Sequence, residues 1–171
     1  MKTALALLLL IVTALAAGCG SSADESAQPA AAATLPPRPP NVLFGHVTSM
    51  TRTDAGFEVK FDPAWWLSGV AAQRAALEDT GSSDVPNDYY IVDEAHRLLT
   101  VPVSPDARIT VVTHGDNGIG SAAVSPAELV EIVKGTNPEH RPLFSAKLPF
   151  WLQLGEKYPN GAQTLDQQYQ P

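Results

Sequence analysis

The sequence predicts an α+β, β-rich domain: about seven short strands in antiparallel hairpins, forming a small barrel or a curved sheet, with two helices. An OB-like barrel is one candidate for that architecture. Three observations carry the expectation. Short stretches alternate apolar and charged residues at the period of a half-buried strand, as in Phe57-Glu58-Val59-Lys60-Phe61. Clusters of Gly, Asp, Asn, Ser and Pro interrupt these stretches at close intervals. Only two segments read as helices, one from Ser68 to about Asp79 and one following Ser125.

Val42 to Met50 is strand-like, Asp54-Ala55-Gly56 marks a turn, and Phe57 to Phe61 completes a hairpin with Phe57, Val59 and Phe61 facing the core. Asp62-Pro63 then offers an N-cap followed by proline at a first helical position, which predicts a helical turn over Ala64-Trp65-Trp66-Leu67. The helix from Ser68 is rich in small apolar residues, among them Ala72, Ala75 and Ala76, and is expected to lie close to a sheet. Thr80 to Asp88 reads as a surface loop and Tyr89 to Val92 as the next strand. Arg97 to Val103 and Arg108 to Thr113 read as a second hairpin closed by Ser104-Pro105-Asp106-Ala107, followed by a glycine-rich loop from His114 to Ser121. The second helix has the fullest local signal: Ser125 as N-cap, Pro126 at the first position, Glu128 completing a capping box, and Gly135 as the stop. Leu129, Ile132 and Val133 share its core face. Leu148 to Leu154 and Gln163 to Tyr169 supply a closing strand pair around a polar connection at Glu156 to Gly161.

The N-terminal region has a different character. Lys2, an apolar run from Ala4 to Ala17, and Gly18-Cys19-Gly20 have the layout of a secretory signal peptide. The apolar run is shorter than the roughly 20 residues a helix needs to cross the hydrocarbon core. Leu15-Ala16-Ala17-Gly18-Cys19 resembles the lipobox of bacterial lipoproteins. The resemblance covers only this export segment, and Ala16 stands where Leu is usual. It implies cleavage before Cys19, a diacylglyceryl group on the thiol, fatty acylation of the new amino terminus, and anchorage on the extracytoplasmic side of a cell membrane. Cys19 is the only cysteine, and lipidation accounts for an otherwise unpaired thiol in an exported chain. The expected organisation is a signal peptide over residues 1–18, a lipidated, disordered Ala/Ser/Pro-rich tether over 19–40, and one globular domain over 41–171.

Loss of Lys2 leaves ten basic against eighteen acidic side chains, a formal charge of −8. That balance argues against a nucleic-acid partner, whose phosphates demand Lys and Arg. The domain also resembles a group of uncharacterised secreted proteins of Gram-positive bacteria, through Phe61-Asp62-Pro63-Ala64, Pro86-Asn87-Asp88-Tyr89-Tyr90-Ile91 and Gln167-Gln168-Tyr169-Gln170-Pro171. This resemblance implies no particular chemistry.

Several motifs that suggest chemistry lack their necessary company. Asp93-Glu94-Ala95-His96 spells a helicase ATPase box, but no GxxxxGK[ST] phosphate loop accompanies it. His46, His96, His114 and His140 lack the helical spacing of zinc ligands. Asp116-Asn117-Gly118, and the acidic group of Asp84, Asp88, Asp93 and Glu94, lack the closing carboxylate of a calcium loop, so no metal or other cofactor is expected. Ser121, His114 and Asp116 form one local group of triad residue types. Exposed aromatic faces remain, and Trp66, Tyr90 and Trp151 are the expected binding residues, because strand alternation turns one member of each aromatic pair inward and the other outward. The expected function is a membrane-anchored envelope lipoprotein acting as a binding module for an envelope protein or glycan. The alternatives are an envelope hydrolase with its site near residues 114–121 and a purely structural surface module.

Overall fold

The computed structural model describes Leu35 and residues 41–93, 97–155 and 161–171. The first hairpin forms as its alternation requires: β1 (Val42–Thr53) pairs antiparallel with β2 (Gly56–Ser68), closing at Thr53↔Gly56. Phe57, Val59 and Phe61 are all buried. A bulge at Thr48 shifts the register between Val47↔Phe61 and Ser49↔Lys60, and the Thr48 hydroxyl donates to the Lys60 carbonyl at 3.0 Å.

The helical turn expected at Ala64–Leu67 does not form. β2 runs straight through it, because Ala64 to Ser68 pair in register with Tyr89 to Asp93 of β3 (Tyr89–Asp93). A full ladder outweighs one capped turn, since local helix signals are weaker than tertiary pairing. The helix α1 (Gly69–Thr80) starts only after Ser68, turns in through Gly69 at φ 57°, and ends on Gly81 in the left-handed conformation.

The second hairpin expected around Ser104–Ala107 is also absent. One strand, β4 (Leu99–Gly115), covers both halves. Its first part pairs with β2 from Phe57↔Val103 to Phe61↔Leu99; its later part pairs with β5 (Gly118–Val124) from Ile109↔Val124 to Gly115↔Gly118. Pro102 and Pro105 lack an N–H to donate to a ladder, and the strand changes partner across this stretch. Prolines that read locally as a turn here mark that change of neighbour. The expected glycine-rich loop is likewise mostly strand: Asp116-Asn117 is a tight turn, Gly118 supplies φ 97°, and Ile119 to Val124 extend as β5.

The helix α2 (Pro126–Val133) matches its sequence signal, with the Ser125 side chain accepting from the Glu128 N–H at 3.1 Å. Glu128 does not reach back to complete the box. Its carboxylate instead takes both the Nε and an NH2 group of Arg141. The closing pair is β6 (Phe150–Gly155) and β7 (Gly161–Gln167).

Five strands close on themselves in the order β1-β2-β4-β7-β6-β1, with β4 and β7 as the single parallel pair among the described strands. Numbered as barrel strands, the order is 1-2-3-5-4-1 with α2 between the third and the fourth, the connectivity of an OB-type Greek-key barrel. Phe61, Val59, Val103, Ile109, Phe150, Leu152 and Leu165 fill the interior, and Leu129, Val130 and Ile132 of α2 join the same core. Each such side chain contributes about 1.5–3 kcal/mol through removal from water. The end of β2 and β3 form a ribbon beyond the barrel, and α1 packs on one of its faces.

Candidate binding face

Alternation along the ribbon separates neighbours. Trp65 and Leu67 pair with Val92 and Tyr90 and pack beneath α1 with Ala72 and Ala75. Trp66 therefore points to the opposite side, where its ring stacks on Tyr89 at 4.0 Å and 18°. The same side receives two residues from the barrel wall. Phe44 and Trp151 are register partners on β1 and β6, with rings 4.6 Å apart. Phe44 meets the Trp66 ring edge-on at 5.3 Å, and Trp66 and Trp151 lie 6.1 Å apart.

The four rings make one cluster across β3, β2, β1 and β6. Phe44 is only 3% exposed and forms its floor, while Trp66, Tyr89 and Trp151 are half-buried. Each such ring pair adds about 0.5–1.5 kcal/mol beyond area burial, so the surface is ordered before anything binds. Polar groups border it. A cross-strand row runs Asp166, Trp151, Phe44, Ala64, Asp93, with a carboxylate at each end. Asp166 accepts from the Thr110 hydroxyl at 2.7 Å, and the Trp151 indole donates to the Gln168 amide oxygen at 3.1 Å. Flat apolar rings beside carboxylate and amide acceptors suit a ligand with alternating C–H and O–H surfaces.

Of the residues expected from the sequence, Trp66 and Trp151 meet in this cluster. Tyr90 does not: it lies on the α1 face, and its hydroxyl donates to Asp79. That hydrogen bond, then partial desolvation and the Asp79 charge, raise the phenol above its ordinary range. Tyr89 takes the place expected of Tyr90, and Phe44 joins from β1. The strand register alone decides between the two tyrosines.

The other candidates are more dispersed. His114 pairs with Ile119 and Ser121 with Val112 on the β4–β5 hairpin, Asp116 is at its tip, and all three polar residues are exposed. Among the described residues no hydrogen bond joins them; the His114 ring instead lies edge-on to Phe144 at 6.3 Å. Asp84, Asp88 and Asp93 are exposed, and no three His, Cys, Asp or Glu side chains among the described residues stand together as metal ligands. Cys19, Glu94 and His96 lie outside the described residues. No helix among the described residues is long and apolar enough to cross a membrane.

Fold and face together define a small OB-type barrel with an added β-ribbon and a composite aromatic surface. The chain matches no family model, no curated protein and no solved structure.

Proposed function

We propose that the protein is a lipid-anchored cell-envelope lipoprotein whose barrel domain binds an envelope glycan on the face formed by Phe44, Trp66, Tyr89 and Trp151. The observation that carries this reading is the cluster itself: three half-buried rings held in fixed mutual geometry and bordered by Asp166 and Gln168. Sugar rings present C–H faces that stack on indole and hydroxyls that bond carboxylates and amides. The single cysteine, in its lipobox-like context, supports the anchor, and the Ala/Ser/Pro-rich stretch after it suits a spacer.

Cosedimentation of the mature protein with insoluble peptidoglycan tests the glycan reading. Trp66→Ala and Trp151→Ala are each expected to weaken retention roughly tenfold, while Ile119→Ala, exposed on the β4–β5 hairpin away from the ribbon, leaves it unchanged. Folded variants that sediment like the wild type would remove the face as the binding site. Intact mass of membrane-extracted protein tests the anchor: residues 19–171 plus diacylglyceryl are expected, with both lipid and membrane retention lost in Cys19→Ala. A soluble, unlipidated native protein refutes it.

A further inference from the structure

On the other face of the ribbon lies a groove of about 590 Å³ between α1 and β3, lined by Leu35, Ala75, Tyr90 and Val92 and by the carboxylates of Glu78 and Asp79. Leu35 comes from the segment preceding β1, yet it is half-buried and packs against the small core of Leu67, Ala72 and Ala75. We infer that this groove is a docking site for the chain's own tether, with Leu35 as the anchoring side chain.

Composition singles out that residue. Between Cys19 and Pro40, Leu35 is the sole large aliphatic residue and Arg38 the sole basic one. The groove offers the matching chemistry, an apolar wall for the first and carboxylates for the charge of the second. Prolines on the C-terminal side of Leu35 lower the entropy lost when such a segment is held. β3 pairs with β2 alone among the described strands, so its outer edge is available to an extended chain.

Docking changes what the tether does. Fifteen residues, 20–34, lie between Cys19 and this anchor. Leu35 lies on the α1 side of the ribbon, and the aromatic face is on the opposite side. The docking itself does not depend on the glycan or lipid readings.

Hydrogen exchange of the mature chain, residues 19–171, tests the inference with Leu35→Ala, Leu35→Asp and the conservative Leu35→Met. Amides of α1 and β3 are expected to exchange roughly tenfold faster in the Ala and Asp variants, near wild type in the Met variant, and unchanged in the barrel strands β4 and β6. A peptide of residues 32–40 added to Leu35→Ala should restore protection of α1 and β3. Unchanged exchange in Leu35→Asp overturns the inference. So does an acceleration spread equally over the barrel, which makes Leu35 a general packing residue. Protection that depends on protein concentration assigns the groove to the tether of a second copy and overturns docking within one chain.

Discussion

Gly45→Ala should be among the most damaging single-methyl substitutions in the protein. Gly45 sits in β1 opposite Pro63 at φ 154°, a conformation L-residues rarely adopt. An added Cβ would lie 2.0 Å from the Asp62 carbonyl oxygen, 2.9 Å from the Pro63 Cα and 3.0 Å from the Ala64 nitrogen. All three are backbone atoms, so no side-chain rotation relieves the overlap and the β1–β2 ladder must open. Backbone strain accounts for about 1–3 kcal/mol. Loosened pairing of Gly45 with Pro63 and with Phe150 of β6 adds about 1 kcal/mol per weakened hydrogen bond. The expected loss is about 3–5 kcal/mol, a large share of a typical domain's 5–15 kcal/mol. Gly155→Ala is the comparison. Its added Cβ would come even closer, 1.8 Å, but only to side-chain atoms of Gln163, which can swing aside for about 0.5–1.5 kcal/mol. Urea unfolding followed by tryptophan fluorescence measures both. A Gly45→Ala loss below about 1 kcal/mol, or one smaller than that of Gly155→Ala, refutes the reasoning that backbone overlap decides the cost.

Two further outcomes follow from the hydrogen bonds. The Tyr90 phenol is raised by its bond to Asp79, so the folded state favours the protonated form; that stabilisation is complete below the ordinary tyrosine value near ~10 and disappears as pH rises through the folded value. Ultraviolet titration should show one phenol ionising late, assigned by its loss in Tyr90→Phe and shifted down in Asp79→Asn; tyrosines that all ionise together would contradict the contact. Ser125→Ala removes the acceptor for the Glu128 N–H and is expected to cost about 1 kcal/mol in thermal or urea unfolding, with Ser125→Asp recovering most of it. Equal stability of the Ala variant and the wild type would show that α2 is held by its buried face alone.

Elements whose signals are local were legible in the sequence. The Phe57-Val59-Phe61 alternation, the Ser125-Pro126 start of α2 and the β6–β7 pair all appear where their residues indicate. Two errors have one cause. Asp62-Pro63 is a sound N-cap pair and Ser104-Pro105-Asp106-Ala107 a sound turn, yet both lie inside long strands because a neighbouring strand supplies the pairing. Proline forbids a donor, not an extended backbone, and strands that change partner tolerate the missing bond. Glu128 shows the same limit on a smaller scale: the capping box is written in the sequence, but Arg141, thirteen residues on, is the stronger partner.

For the aromatic face, residue type was legible and register was not. Trp66 and Trp151 stand out as large aromatics, but selecting Tyr89 over Tyr90 requires knowing that Leu67 pairs with Tyr90 and Ser68 with Tyr89. Phe44 reads as an ordinary core residue until β6 places Trp151 beside it.

The composite origin of this face has a mechanical consequence. Phe44 and Trp151 belong to the closed barrel, whereas Trp66 and Tyr89 belong to a two-stranded ribbon, and isolated two-stranded ribbons are marginal in water. The ribbon's support comes from its other side, where Trp65, Leu67, Tyr90 and Val92 pack with α1 and with Leu35. The spacing between Trp66 and Trp151 therefore depends on Phe44 between them and also on the residues that hold the ribbon from its other side. A change beneath α1 loosens the ribbon and widens the ring cluster while leaving the barrel core of Phe61, Phe150 and Leu165 intact. The geometry of the aromatic face is for that reason sensitive to the α1 side, whereas cooperative unfolding of the barrel depends chiefly on the separate core below it.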